Sequence, residues 1–194
     1  MNLLKKPVVA VCLLAAVVCT TTYTKGTSQI SEKASDVKSE FFYSYSSGTK
    51  TIFERLEARS DAANGTVTIA NNYPNVSAET QALKFAQTEM ANTIEQYKWI
   101  PISEYYDRNE ELDTAYQALI QALSQETVSD DDRSKLDYYT TNFNGAQKMI
   151  EKSTYNQEVS EFFAKYGSSP FLKFVDDYDM PGYYASSSAD ATEG

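Results

Sequence analysis

The fold is decided by the stretch ISEKASDVKSEFFYSYSSGTKTIFERLEARSDAANGTVTIA, residues 30–70. Apolar or small side chains recur along it at a mean interval of about 3.6 residues, which is the period of a nearly straight α-helix. The sequence therefore predicts one long helix over about residues 28–73, which Pro74 ends or kinks. A local break near Asn64 and Gly65 is left open, because glycine and the β-branched residues after it are weak helix formers. The recurring positions are Ile30, Ala34, Val37, Phe41, Tyr45, Gly48, Ile52, Leu56, Arg59, Ala63, Val67 and Ala70.

Three more helical patterns follow toward the C-terminus. Ser77 is predicted to cap a second helix, which Pro101 stops or bends, and helical periodicity resumes near Ser103. Ser129 is predicted to cap a fourth helix, which runs to the breaker segment at residues 167–170. No segment keeps the alternating pattern of a strand. The sequence therefore predicts an all-α fold, an elongated antiparallel bundle of about four helices whose first helix is long.

The chain divides into three predicted regions. Residues 1–24 form a signal peptide or an N-terminal membrane anchor, residues 28–184 form the helical bundle, and residues 185–194 form a disordered tail of small and acidic residues. The aromatic segment from Phe171 to Tyr184 is expected to pack across the end of the bundle.

The N-terminal region has the pattern of an export signal. Lys5 and Lys6 precede an apolar run from Val8 to Cys19, and threonines follow. Three outcomes stay open: cleavage and release, retention as a transmembrane helix, or lipidation of Cys19 after cleavage. We expect the bundle to lie outside the cytoplasm, held at the cell membrane through its N-terminus, with a secreted protein or a lipoprotein as the alternatives.

Composition excludes several kinds of site. The chain has no histidine, and its two cysteines both lie in the N-terminal region, so disulfides and zinc sites lack their usual side chains. The formal net charge is −10, which repels nucleic acid. Loss of Lys5 and Lys6 with the signal leaves 15 basic and 27 acidic residues, a charge of −12. We predict no cofactor and no nucleic-acid partner.

Carboxylates are the main candidates for a chemical site. Asp130, Asp131 and Asp132 fit a helix N-terminus, where the helix dipole favours acidic side chains, better than a calcium loop. The acids at residues 104–111 are typical of a solvated helix face. The alternative is that two of them are the paired carboxylates of a hydrolase. Acids at residues 176–179 stand among aromatic residues that a cation or glycan could use. We therefore predict a non-enzymatic interaction or scaffold protein, with a cell-envelope hydrolase or a cation- or glycan-binding module as alternatives.

Tyrosine is abundant, with 15 in the chain. Tyr105–Tyr106, Tyr138–Tyr139 and Tyr183–Tyr184 are adjacent pairs, in which one ring is expected to be buried while the other faces outward. The outward rings offer an aromatic contact surface to an unknown protein partner or a cell-wall glycan.

Two stretches resemble the LemA-like proteins of bacteria. The segment from Leu56 to Val67 is similar to the first-helix motif of that family, although Ala58 and residues 64–66 depart from it. The segment from Ile150 to Phe163 is similar to its last-helix motif. The matching positions are Leu56, Arg59, Asp61, Val67, Tyr73, Ile150, Tyr155 and Asn156.

The resemblance implies a membrane-anchored helical bundle outside the cytoplasm in the bacterial cell envelope, with no catalytic residues to carry over. Arg59 and Asp61 are then expected to join helix one to its neighbours in a buried or half-buried network, with Tyr73 or Tyr155 as hydrogen-bond partners. Neither the resemblance nor the residues predict a metal site or an oligomeric state.

Overall fold

The computed structural model describes residues 7–43 and 50–186. Within these ranges the chain is helical and contains no strand, which confirms the predicted all-α fold. Short 3₁₀ turns occur at Pro74–Val76, Tyr97–Trp99 and Leu172–Phe174. The α-helices of the described residues are α1 Pro7–Phe42, α2 Ile52–Ala70, α3 Ser77–Gln96, α4 Ile102–Leu123, α5 Asp130–Ile150 and α6 Tyr155–Tyr166.

The chain forms two compact units. Unit 1 contains the chain up to Lys38 together with Glu158–Pro181, and unit 2 contains Ser39–Gln157 together with the chain from Gly182 onward.

Unit 2 is built on the four helices α2 to α5. Helices α2 and α5 run in opposite directions: Arg59 in the first half of α2 meets Gln147 near the end of α5, while Tyr73 just after α2 meets Ser129 just before α5. Each helix turns one apolar stripe inward, as amphipathic helices do when they form a bundle. The stripes supply the fully buried side chains Leu56, Leu83, Met90, Tyr105, Leu112, Tyr116, Leu119 and Phe143.

Unit 1 has its own small apolar core. Ile30 and Ala34 from α1 are buried with Phe162 and Val175. The ring of Phe171 lies against Gly26, where the first atom of any side chain would come within 2.8 Å of it. Glycine at residue 26 therefore allows this ring to approach the helix backbone closely.

The prediction of a single helix over residues 28–73 is wrong. The first helix is long, but α1 ends at Phe42 and α2 begins at Ile52. A capping box opens α2: the Glu54 backbone N–H donates to Thr51 Oγ1 at 3.1 Å, and the Thr51 backbone N–H donates to Glu54 Oε2 at 2.8 Å. The recurring positions Tyr45 and Gly48 lie outside the described residues. The break considered near residues 64–65 does not occur, because α2 continues to Ala70.

The predicted fourth helix also differs in extent. The Ser129 side chain caps α5 as expected, since Ser129 Oγ accepts a hydrogen bond from the backbone N–H of Asp132 at 3.2 Å. That helix ends at Ile150, and a separate helix, α6, begins at Tyr155.

The prediction of a transmembrane helix needs correction. Nowhere in residues 7–43 and 50–186 does a helix have both the length and the apolar character that crossing a membrane requires. Toward its C-terminal half α1 continues with Thr20, Thr21 and Thr24, whose hydroxyls bond to helix carbonyls, and then with Lys25. The predicted disordered tail falls mainly on residues 187–194, which lie outside the described residues.

Candidate functional site

The interior of unit 2 contains one fully buried cation. Arg59 of α2 has no solvent-exposed surface, because the helical spacing that places Leu56 and Ala63 in the core also turns Arg59 inward. Its guanidinium carbon lies 3.9 Å from the centroid of the Phe143 ring. The ring of Tyr116 is stacked parallel to that of Phe143, with 3.8 Å between the ring centroids. The cation is therefore placed on an aromatic surface that attracts it.

Three polar side chains accept hydrogen bonds from this guanidinium. Arg59 Nη1 donates to Asn109 Oδ1 at 2.7 Å and to Gln147 Oε1, and Arg59 Nη2 forms an ion pair with Asp113 Oδ1. Asn109 Nδ2 also donates to Gln147 Oε1 at 3.2 Å. We call Arg59, Asn109, Asp113 and Gln147 the Arg59 network. It connects α2, α4 and α5 at one level of the bundle.

Burial sets the electrostatics of this network. Removal from water lowers the pKa of Arg59, and the neighbouring Asp113 carboxylate opposes that shift. The Asp113 side chain keeps 38% of its surface exposed, so its charge remains partly hydrated. An arginine titrates so far above neutral pH that Arg59 stays a cation and cannot serve as a general base. The arrangement is therefore suited to holding helices together.

The other residues expected in this network lie elsewhere. Asp61 is exposed on the outer side of α2. The Tyr73 hydroxyl donates to Asp132 Oδ2 at 2.8 Å and accepts from the Ser129 backbone N–H at 3.2 Å, so it links the end of α2 to the start of α5. The Tyr155 hydroxyl donates to the backbone oxygen of Gly182 at 2.9 Å.

The remaining positions of the family motifs have packing roles. Leu56, Val67 and Ile150 are buried in unit 2. Asn156 is different, because its side-chain amide bonds to the backbone of Tyr184 through both polar atoms. Cys19, the lipidation candidate, is exposed on α1.

The candidate carboxylates are dispersed. Asp131 pairs with Lys135 at 2.5 Å, and Arg108 pairs with Glu104 at 3.0 Å and Glu111 at 2.8 Å. Asp176 Oδ1 accepts a hydrogen bond from the Tyr178 backbone N–H at 3.0 Å. Among the residues that the structure describes, no group of three or more acidic, histidine or cysteine side chains is arranged to hold a metal ion.

The tyrosine pairs divide between interior and surface. Tyr105 and Tyr184 are buried, and burial raises the pKa of each hydroxyl well above its ordinary value. Their neighbours Tyr106 and Tyr183 are half-buried. In the third pair, Tyr138 is 63% exposed.

Sequence reasoning missed Asn109 and Gln147. Asn109 carried a usable signal, because it falls between Tyr105 and Leu112 on the buried stripe of α4, where a polar residue needs an internal partner. Gln147 is half-buried beside the buried Ala146 of α5. Its position relative to the apolar residues of α5 does not mark it as a residue that needs an internal partner.

Comparison of this chain with protein-family models, with curated proteins and with solved structures finds no match. The resemblance to LemA-like proteins therefore stays a prediction that rests on the motif residues.

Proposed function

We propose that this protein is a non-catalytic helical interaction protein that works outside the cytoplasm. Its bundle presents contact surfaces to a partner protein, and its interior maintains the shape of those surfaces. The export pattern of residues 1–24 supports the location. The motif residues support a place among divergent LemA-like proteins, a resemblance that implies a helical bundle outside the cytoplasm.

The observation that carries the proposal is the Arg59 network. A buried charge is costly unless it is paired and hydrogen-bonded, and here each partner of Arg59 is contributed by another helix of the same bundle. The network lies in the interior of unit 2. Polar side chains in this interior are used to connect helices.

Two exposed aromatic rings support the binding role. Phe85 on α3 is 67% exposed and Tyr138 on α5 is 63% exposed. Aromatic side chains of this kind contribute a large share of the energy at protein interfaces. The net charge of −10 keeps a chain with exposed aromatic rings soluble and favours a partner with basic residues at the rim of its contact.

The proposal is tested by site-specific photocrosslinking in cells that produce the full-length chain. A photoreactive side chain is placed at residue 85 or at residue 138, and matched controls carry it at Thr114 and Gln117, exposed positions of α4. We expect one adduct of defined mass from residue 85 or residue 138 and none from the controls.

Two results would contradict the proposal. One is the absence of a discrete adduct at both aromatic positions, or an equal yield at the control positions. The other is turnover of cell-wall glycan by the purified chain, which would instead favour the hydrolase alternative.

A further inference from the structure

Three hydrogen bonds join the backbone of the segment Gly182–Ser186 to the start of α6. The Tyr184 backbone N–H donates to Asn156 Oδ1 at 2.8 Å, and Asn156 Nδ2 donates to the Tyr184 backbone oxygen at 3.0 Å. The Tyr155 hydroxyl donates to the backbone oxygen of Gly182 at 2.9 Å. None of these three bonds depends on the side chains of the segment. They would therefore hold any peptide that followed the same path.

One side chain of the segment fills a pocket. Tyr184 is 8% exposed, and its ring lies edge-on to Tyr106 with 5.3 Å between centroids. Phe41 approaches the same ring at 5.8 Å. Backbone hydrogen bonds combined with a pocket for one side chain are the means by which proteins recognise short peptide segments.

The pocket does not match a tyrosine completely. The Tyr184 hydroxyl is buried and has no hydrogen-bond partner among the described residues. Asn109 lies close enough to this oxygen to oppose slightly the rise that burial causes in the pKa of the hydroxyl, but the two side chains do not meet the geometry of a hydrogen bond. A buried hydroxyl that has lost its bonds to water without replacement raises the free energy of the bound state. A phenylalanine would fill the same space without this cost.

We propose that Phe41, Tyr106, Tyr155 and Asn156 form a binding site for a short peptide with an aromatic residue, best phenylalanine, at the place of Tyr184. The segment Gly182–Ser186 occupies this peptide site in the same chain and competes with a partner peptide. The inference rests on the proposed function, since it assigns one binding site and one class of ligand to an interaction protein.

Competition by the attached segment determines how strongly a free peptide binds. A tethered segment acts at an effective concentration in the millimolar range, so a peptide in solution must overcome it. The unpaired hydroxyl weakens the attached segment and gives a phenylalanine peptide an advantage over it. Access to the site is thus regulated by the C-terminal segment of the chain.

The test uses the full-length Tyr184→Ala variant and fluorescently labelled peptides. The peptides are GYYAS, which is residues 182–186, and two versions in which phenylalanine or alanine replaces the second tyrosine. Fluorescence anisotropy should show the phenylalanine peptide binding the variant at least about ten-fold more tightly than wild type. It should also bind about ten-fold more tightly than GYYAS, while the alanine peptide does not bind.

Two further measurements keep the test decisive. Adding Asn156→Leu to the Tyr184→Ala variant should abolish binding, because the backbone bonds are lost while the pocket remains.

In the wild-type chain, the Tyr184 amide should exchange with deuterium at least about 100-fold faster than the core amides of Leu112 and Leu119, through local opening. This second measurement does not depend on the folding of any variant.

The proposal is overturned if no peptide binds a folded Tyr184→Ala variant, or if wild type and variant bind equally well. It is also overturned if the Tyr184 amide exchanges as slowly as that of Leu112. Loss of peptide binding with intact crosslinking at residues 85 and 138 would refute this site alone. Peptide binding without those crosslinks would refute the proposed aromatic contact surface.

Discussion

The ring of Tyr139 on α5 lies directly on the backbone of Gly65 on α2, so that the first atom of any side chain at residue 65 would overlap it. Glycine normally weakens a helix interior by about 1 kcal/mol relative to alanine. At this position the close contact of α2 with α5 offsets that cost.

Gly65→Ala should therefore destabilise the protein by about 1–3 kcal/mol, because the added methyl group must displace the Tyr139 ring. Gly145→Ala is the matched control, since Gly145 lies inside α5 with no atom within 4 Å of the added carbon. The control should stabilise by about 0.5–1 kcal/mol. Urea unfolding of both variants measures the difference, and effects of the same sign would contradict the expected packing.

Arg59→Ala should cost about 3 kcal/mol or more of unfolding free energy, because it leaves a cavity and removes the hydrogen-bond donor for Asn109 and Gln147. Arg108→Ala removes an arginine whose ion pairs lie near the surface, and it should cost less than about 1 kcal/mol. Chemical denaturation gives both values. Equal losses would mean that burial of Arg59 does not govern its contribution.

Stability should fall as the pH rises above about 10. Burial raises the pKa of the Tyr105 hydroxyl in the folded state above its unfolded value, so the folded chain holds a proton that the unfolded chain releases. The stabilisation is fully present below the unfolded pKa and is lost as the pH rises toward the folded pKa. Tyr105→Phe should reduce the slope of unfolding free energy against pH between 9 and 11 by up to about 1.4 kcal/mol per pH unit.

Thr51→Ala should destabilise the protein by about 1 kcal/mol, because it removes the side-chain oxygen that caps α2. Thr88→Ala is the control, since Thr88 is exposed within α3 and its replacement by a better helix former should be neutral or slightly stabilising. The midpoint of thermal unfolding distinguishes the two. A neutral result for Thr51→Ala would show that the capping box contributes little.

Removal of residues 1–22 should leave the thermal transition unchanged. Val11, Leu14, Val17 and Val18 of this region are exposed, and among the residues whose burial the structure describes, Ile30 is the first that belongs to the core of unit 1. Calorimetry of the shortened and full-length chains measures both thermal midpoints. A lower midpoint for the shortened chain would contradict the prediction. The intact mass of the natural product then shows whether export removes this region and whether Cys19 carries a lipid.

The sequence allowed the all-α fold to be predicted because each helix has an apolar stripe at helical spacing, as at Leu112, Tyr116 and Leu119. It misled on the extent of the first helix, because the apolar positions of the separate helices α1 and α2 follow one period along the sequence. Thr51 and Glu54 carried the signal of a new helix start. Helical spacing placed Arg59 on the recurring stripe, and the family resemblance assigned it to a network. Its partners come from α4 and α5, and the pattern along one helix cannot identify them.

The Arg59 network also has a consequence for folding. Apolar stripes are tolerant of sliding, because leucine packs almost as well against the neighbouring turn of a facing helix. A shift of α5 by one turn, about 5.4 Å, would withdraw Gln147 from Arg59 and leave buried polar atoms without partners. The network therefore raises the free energy of a bundle with shifted helices by more than it lowers that of the correct bundle. Several helix alignments would bury a similar apolar area, and the network selects one of them.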